Sequence, residues 1–214
     1  MQEAFFHTPL ESMPSVIPIM PYNDAILMPY GKLSLRLKEK RHFNMIFDAL
    51  ATGRIVGTVQ SMEPVFEFSP ILYSVGCAGK ITAFSESEDG DSLAVTLTGV
   101  SRFKIIEELK RPRGYRMAKV NYSNFIADLM LAPNKIDRKA FFPLIESFLK
   151  ENKLDITKKM LCNMHDAKML SVLAMFLPLE ARERQAMLEA ETLEKLQDVM
   201  ESIVKMNKSF KNKS

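Results

Sequence analysis

Hydrophobic and polar positions alternate in short runs over roughly the first 122 residues and shift to a helical spacing after them. Val16 to Met20 predicts a strand closed by Pro21, and Ala25 to Met28 predicts a second. Beyond a turn at Pro29-Tyr30-Gly31, Leu33, Leu35 and Leu37 alternate with Ser34 and Arg36 at the period of two expected of a half-buried strand. Glu39 to Leu50 then sets Phe43, Ile46, Phe47 and Leu50 on one helical face and stops at Gly53, which predicts a helix covering an opening of the sheet. Strands are expected again at Arg54 to Gln60 and, past a segment bounded by Pro64 and Pro70, at Ile71 to Val75. Gly79 to Ser85 and Ser92 to Gly99 flank an acidic turn at Asp89-Gly90, a pair that suits a tight reversal because glycine tolerates positive φ. Phe103 to Glu107 and Tyr115 to Tyr122 supply the last strands. Many short strands with one or two helices predict a small barrel or a strongly curled sheet, which removes exposed edges.

Beyond Ser123 there is no glycine. Asp137 can cap a helix carrying Phe141, Leu144, Ile145, Phe148 and Leu149, and Asp166 can cap a second carrying Met169, Leu170, Leu173, Phe176 and Leu177, ended by Pro178. Glu180 to Leu188 predicts a third helix, and Leu193, Leu196, Met200 and Ile203 mark a fourth. The fold class is therefore α+β: a β part over residues 1–122 and an α-helical, four-helix bundle-like part over 123–214, ending in a basic tail.

Charge adds less than the pI of about 8.8 suggests. The net charge is +3, and Lys205, Lys208, Lys211 and Lys213 sit in the last ten residues without an acid, so the rest of the chain is close to neutral. A basic face for nucleic acid does not follow from the pI. Val172 to Leu177 is the longest apolar run, far short of the ~20 residues that span a bilayer. The start of the chain has no cationic, apolar leader pattern, so a reducing, cytoplasmic setting is expected, with Cys77 and Cys162 as buried thiols.

Several constellations fail on spacing. Gly76-Cys77-Ala78-Gly79-Lys80-Ile81 has two residues between its glycines where a phosphate-cradling P-loop has four, and Ile81 stands where that loop needs a hydroxyl. Cys162 and His165 form half of a metal set, with nothing near them in sequence to complete it. Ser101 lacks a local base and an elbow motif. The chain is accordingly read as no enzyme, with no cofactor and no metal. Lys110-Arg111-Pro112-Arg113-Gly114-Tyr115-Arg116 gathers four cations around a tyrosine, so Arg111, Arg113 and Arg116 are candidates for nucleic-acid contact, with a solvated loop the favoured reading. Seven of the fifteen methionines lie between Met160 and Met206, which suits either adaptable core filler or an apolar binding surface.

The order of several stretches resembles the N-terminal substrate-binding domain of the Lon (La) ATP-dependent protease family. They are Ile17-Pro18-Ile19-Met20-Pro21, Ala25 to Leu35 with its Pro29-Tyr30-Gly31 turn, and Ile55-Val56-Gly57-Thr58-Val59. The most specific are Val75-Gly76-Cys77-Ala78-Gly79-Lys80-Ile81, Asp89-Gly90 and Leu97-Thr98-Gly99-Val100-Ser101-Arg102-Phe103-Lys104-Ile105. Leu177-Pro178-Leu179 and Gln185-Ala186-Met187-Leu188-Glu189 extend the likeness to about residues 14–206. Tyr30 departs from the family's usual phenylalanine-rich turn, and no segment of this sequence matches the family's ATPase or protease domains. The resemblance implies a stand-alone domain with a PUA-like β pseudo-barrel and a helical bundle beside it. It also implies a non-catalytic role in holding unfolded or specific client proteins, with a protease or chaperone as a further partner. Val65, Phe66, Phe68 and Ile71 are the candidate peptide contacts, because a Pro-bounded loop rich in aromatics is hard to justify as ordinary solvated connection. A plug for the barrel end is the competing use of that loop. The alternative function is RNA binding by a PUA-like fold.

Overall fold

The computed structural model describes residues 10–62, 70–109, 113–130 and 136–211. Six strands form one sheet: β1 (Val16–Pro21), β2 (Lys32–Leu37), β3 (Ile55–Ser61), β4 (Leu72–Glu86), β5 (Leu93–Leu109) and β6 (Arg116–Asn121). Their order is β2-β5-β4-β3-β1-β6, and β6 also pairs with β5, so five of the strands close a circuit while β2 stands outside it as an edge. β1 and β3 run parallel and the other pairs are antiparallel. The β4–β5 hairpin is longer than its sequence signal suggests. The runs at Ile71 to Val75 and Gly79 to Ser85 are one strand, as are Ser92 to Gly99 and Phe103 to Glu107, with shifts of register between Ala78 and Gly79 and between Ile81 and Ala83.

One buried cluster draws Ile17, Ile19, Val59, Ala78, Phe103, Ala118 and Val120 from all five strands of the circuit. Phe103 is its largest fully buried side chain, and the ring needs bare backbone around it: a Cβ added at Gly76 would stand 2.9 Å from the Phe103 Cζ and 2.5 Å from the Thr58 carbonyl oxygen. The larger cluster lies on the opposite face of the sheet, where Val56, Val75, Cys77, Leu93, Val95 and Leu97 meet the helices.

The helices are α1 (Lys40–Ala51), α2 (Arg138–Glu151), α3 (Lys158–Cys162), α4 (Asp166–Phe176), α5 (Ala181–Glu189) and α6 (Leu193–Lys211), with a 3-10 segment at Ser123–Leu129. α1 buries Met45, Ile46 and Ala49, so its inner face is rotated from the expected one and Phe47 is exposed. Asp137 caps α2 as expected, accepting from the Lys139 and Ala140 amides. Asp166 does not cap α4; the His165 ring takes that place, and the buried Asp166 carboxylate accepts from the Ile136 amide and from Arg138. The short α3 is additional to the four helices expected. The lysines at the chain end belong to α6 as far as Lys211, with Lys205 paired to Glu201 and Lys208 to Glu151.

Ala25 to Met28 is not a strand, although Ile26, Leu27 and Met28 are fully buried. The segment crosses Gly99, where an added Cβ would lie 2.0 Å from the Met28 carbonyl oxygen. Tyr30 N–H donates to the Gly99 oxygen and Gly99 N–H to the Gly31 oxygen, which fixes the crossing before β2 begins. Period-two burial and irregular burial give the same short apolar run in sequence.

Candidate functional site

Two places concentrate unusual side chains. The first joins sheet to helices. Arg102 on β5 is 3% exposed, and its guanidinium grips the Asp128 carboxylate through Nε (2.9 Å) and Nη2 (2.8 Å) while its backbone N–H donates to the same oxygen as Nε. Its Nη1 donates to the carbonyls of Leu188 and Ala190 at the C-terminal end of α5, and the guanidinium lies 4.7 Å from the centre of the Phe125 ring. A cation there meets the orphan carbonyls and the negative end of the helix dipole. The Tyr30 hydroxyl donates to the Asp128 carbonyl, and burial raises its phenol pKa, with the Asp128 charge adding to the effect. Tyr30 holds φ +65°, a left-handed value that residues with a Cβ seldom adopt, so this clasp also restrains a strained residue. The cavity beside Tyr30, Arg102, Asp128 and Ser171 is about 20 Å³, room for one water and for no organic ligand.

The second place is the end of the sheet where β3 leaves and β4 returns. Met62 and Ile71 are 56% and 59% exposed and are tied together by Met62 N–H to the Ile71 oxygen, 2.8 Å. Arg116 fixes the same end: Nε and Nη2 hold the Glu108 carboxylate at 2.8 and 2.6 Å, and Nη1 donates to the Pro70 carbonyl at 2.8 Å. That guanidinium brings residues 70 and 71 beside the β5 stretch in which Ile106 is exposed. Behind Met62, β3 ends in Gln60 and Ser61, both buried, and the Ser61 N–H donates to the Asn23 side chain.

Of the peptide contacts expected from sequence, Ile71 lies in this patch, while Val65, Phe66 and Phe68 lie outside the described residues. Met62 joins Ile71 there and escaped notice because it stands next to a predicted strand rather than inside the proline-bounded loop. Arg111 also lies outside the described residues. Arg113 is paired with Asp48, which also accepts from the Tyr115 hydroxyl, and Arg116 is the clamp just described. Sequence spacing gave no hint that these cations have acids waiting for them 65 and eight positions away. Cys77 is buried, and burial pushes its thiol well above the ordinary value, whereas Cys162 is exposed rather than buried; both are free. Among the described residues there is no group of three side chains able to hold a metal ion, and no helix is long and apolar enough to cross a membrane.

Residues 16–205 match the family model described as the ATP-dependent protease La (LON) substrate-binding domain. This chain belongs to the Lon substrate-binding domain family. A Lon protease of Anaeromyxobacter dehalogenans is 26% identical over 99 residues, covering 45% of this chain and 12% of that protein. Lon protease 2 of Myxococcus xanthus is 26% identical over 113 residues, covering 52% and 13%. The chain thus spans about an eighth of the length of these curated relatives. In structure it is similar to a Lon N-terminal domain protein from Xanthomonas campestris (TM-score 0.62, 22% identity, covering 87% of this chain and 98% of that one). It is also similar to the N-terminal domain of Mycobacterium avium complex Lon protease (TM-score 0.67, 14% identity, covering 89% and 98%). The mixed α/β fold is that of Lon N-terminal domains, and the family model continues through the helices into α6. The stretches by which the sequence resembled the family have visible tasks in that fold. Gly76 makes room for Phe103, Gly99 admits the Met28 carbonyl, and Arg102 clasps Asp128 and α5.

Proposed function

We propose that this chain is a non-catalytic protein-binding module that receives unfolded or partner polypeptide at the end of its sheet, around Met62 and Ile71. The observation that carries the reading is the pair of large apolar side chains left more than half exposed on backbone that is itself fixed, by the Met62–Ile71 hydrogen bond and by the Arg116 clamp on Pro70. Apolar area on a rigid frame is what a binder of extended chain needs, because little ordering entropy is lost when the ligand arrives. Val65, Phe66 and Phe68 would add to the same surface by their place in the sequence between Met62 and Ile71. In this proposal residues 1–122 supply the contact and residues 123–214 brace it, the clients reach it in the cytoplasm, and a protease or chaperone acts on what is held. The substrate-binding name of the family supports the reading.

RNA is the weaker reading. Arg113 and Arg116 are neutralised by Asp48 and Glu108, so phosphate would have to compete with carboxylates already in place. The test is capture of a reduced, alkylated model protein by the chain and by Met62→Ser/Ile71→Ser. Capture is expected to fall about tenfold, with unfolding free energy unchanged to within about 0.5 kcal/mol because the sites are exposed. Undiminished capture would place the contact elsewhere.

A further inference from the structure

β2 has one partner in the sheet, β5, and its other side is an edge. The register from Lys32 opposite Thr98 to Leu37 opposite Leu93 runs without a shift, and β2 holds no proline. The Gly99 N–H donates to the Gly31 carbonyl at 2.8 Å. Alternation along the ladder therefore turns the N–H and C=O of Leu33, Leu35 and Leu37 toward β5 and those of Lys32, Ser34 and Arg36 outward. The Ser34 and Thr96 hydroxyls, 3.4 Å apart, agree with a closely spaced pair that does not exchange backbone hydrogen bonds. Among the described residues no hydrogen bond reaches the outward backbone groups. The other open edge, β4 beyond Lys80, is blunted by the shift of register between Ile81 and Ala83.

The same three residues carry the charge. Lys32, Ser34 and Arg36 are exposed, and neither Lys32 nor Arg36 forms an ion pair among the described residues. Arg102, Arg113 and Arg116, by contrast, each hold a carboxylate. Arg36 Nε donates to the Ser92 hydroxyl at 3.1 Å, which lays the side chain along the sheet. Glu39, just past the strand, is paired with Arg41, and Asp89 in the β4–β5 turn accepts from the Asp91 amide.

We propose that β2 is the docking edge for an acidic, extended segment of a partner protein. The segment joins the sheet antiparallel to β2, with carboxylates opposite Lys32 and Arg36 and a Ser or Thr opposite Ser34. This surface is separate from Met62 and Ile71 and does not depend on them. Strand addition supplies a donor and an acceptor to each outward pair of backbone groups, and the opposite side chains lie about 5.5 Å apart at the Cα atoms, where cross-strand charge pairs act. Charge excludes a second copy: antiparallel self-pairing centred on Ser34 sets Lys32 against Arg36 of the other copy, and like charges directly opposite are destabilising. Nucleic acid fits less well, because phosphates would meet the cations and leave the outward carbonyls unmet. The intervening residues of the segment lie on the side of Leu33, Leu35 and Leu37, so apolar ones suit.

The experiment uses the full chain and labelled Ala-Glu-Val-Thr-Val-Glu-Ala, the same peptide with Lys for both Glu, and two forms N-methylated at Thr or at one Val, with binding followed by fluorescence anisotropy. The acidic peptide is expected to bind about tenfold more tightly than the basic one. Methylation at Thr, whose N–H faces β2, should weaken binding about tenfold, and methylation at Val, whose N–H faces away, should change it less than about threefold. Lys32→Glu/Arg36→Glu should reverse the preference between acidic and basic peptides, a gain of binding that an unfolded variant could not give. Met62→Ser/Ile71→Ser should leave all four affinities unchanged. Equal binding of the acidic and basic peptides, or a preference unmoved by the charge reversal, would overturn the proposal. So would equal effects of the two methylations, which would reduce the contact to charge alone, and so would the absence of binding by every peptide.

Discussion

The sheet–helix junction and the open end of the sheet use the same kinds of residue to opposite effect. At the junction Arg102 is buried with its Nε and both Nη nitrogens engaged by Asp128, Leu188 and Ala190. At the end of β3, Gln60 is as deeply buried with neither side-chain atom engaged, and Met62 and Ile71 are left in water. Burying polar groups is tolerable only when they are paired, and leaving large apolar groups exposed forfeits free energy that burial would return. The first region is arranged for stability. The second forgoes stability locally, which is intelligible if something other than this chain supplies the missing contacts.

The largest expected effect comes from breaking the junction. Arg102→Ala leaves the Asp128 carboxylate and two helix-end carbonyls without their donor, and urea denaturation should show a loss of about 3–5 kcal/mol. A loss below about 1 kcal/mol would mean that the clasp is not what joins α5 to the sheet. Next in size is Gly99→Ala, because the Met28 carbonyl already occupies the space of a Cβ. A destabilisation of about 1–3 kcal/mol or more is expected from that clash, whereas alanine at Gly53 meets no neighbouring atom and costs only the backbone strain of its +105° φ.

pH tests one buried phenol at the junction and one inside the strand circuit. Tyr30 and Tyr122 donate to the carbonyls of Asp128 and Pro14, and burial holds both phenols above their ordinary value of 10.0. Because the folded-state values are the higher ones, this stabilising contribution is complete below pH 10 and is lost as pH rises through the folded-state values. Tyrosinate absorbance should appear in step with alkaline unfolding, and Tyr122→Phe should flatten that fall in stability. Tyrosinate developing on a fully folded chain would contradict the burial argument. The smallest effect is chemical. Cys162 should react promptly with a thiol reagent, while Cys77, with its thiol pKa raised by burial, should react only at the rate of unfolding.

Much of the scaffold was legible in the sequence because it rests on local signals. The alternation of Leu33, Leu35 and Leu37, the Asp89-Gly90 turn, the Asp137 cap and the disappearance of glycine before the helical part all act over a few residues. What was missed depends on partners far away in sequence. Asp166 has the residue type and place of a cap, yet Arg138, 28 positions earlier, draws it into the core and leaves the cap to His165. Ala25 to Met28 has strand composition, but its neighbour is the bare backbone of Gly99 rather than a pairing strand. Ile71 was recoverable from its proline neighbour, and Gln60 had a faint signal as an amide on the strand face that also carries the buried Val56. Nothing local said that α5 would bring Arg184 to the Asn23 carbonyl and Gln185 to the Val75 carbonyl.

The measurement that bears most directly on the central claim is hydrogen exchange of the chain with and without a saturating unfolded model protein. Slower exchange should be confined to the amides around Met62 and Ile71 through Tyr73, with the Arg102 region and α6 unchanged. Protection that falls on α6 or on the loop around Arg113 instead, with the Met62 and Ile71 amides unaffected, would contradict the account.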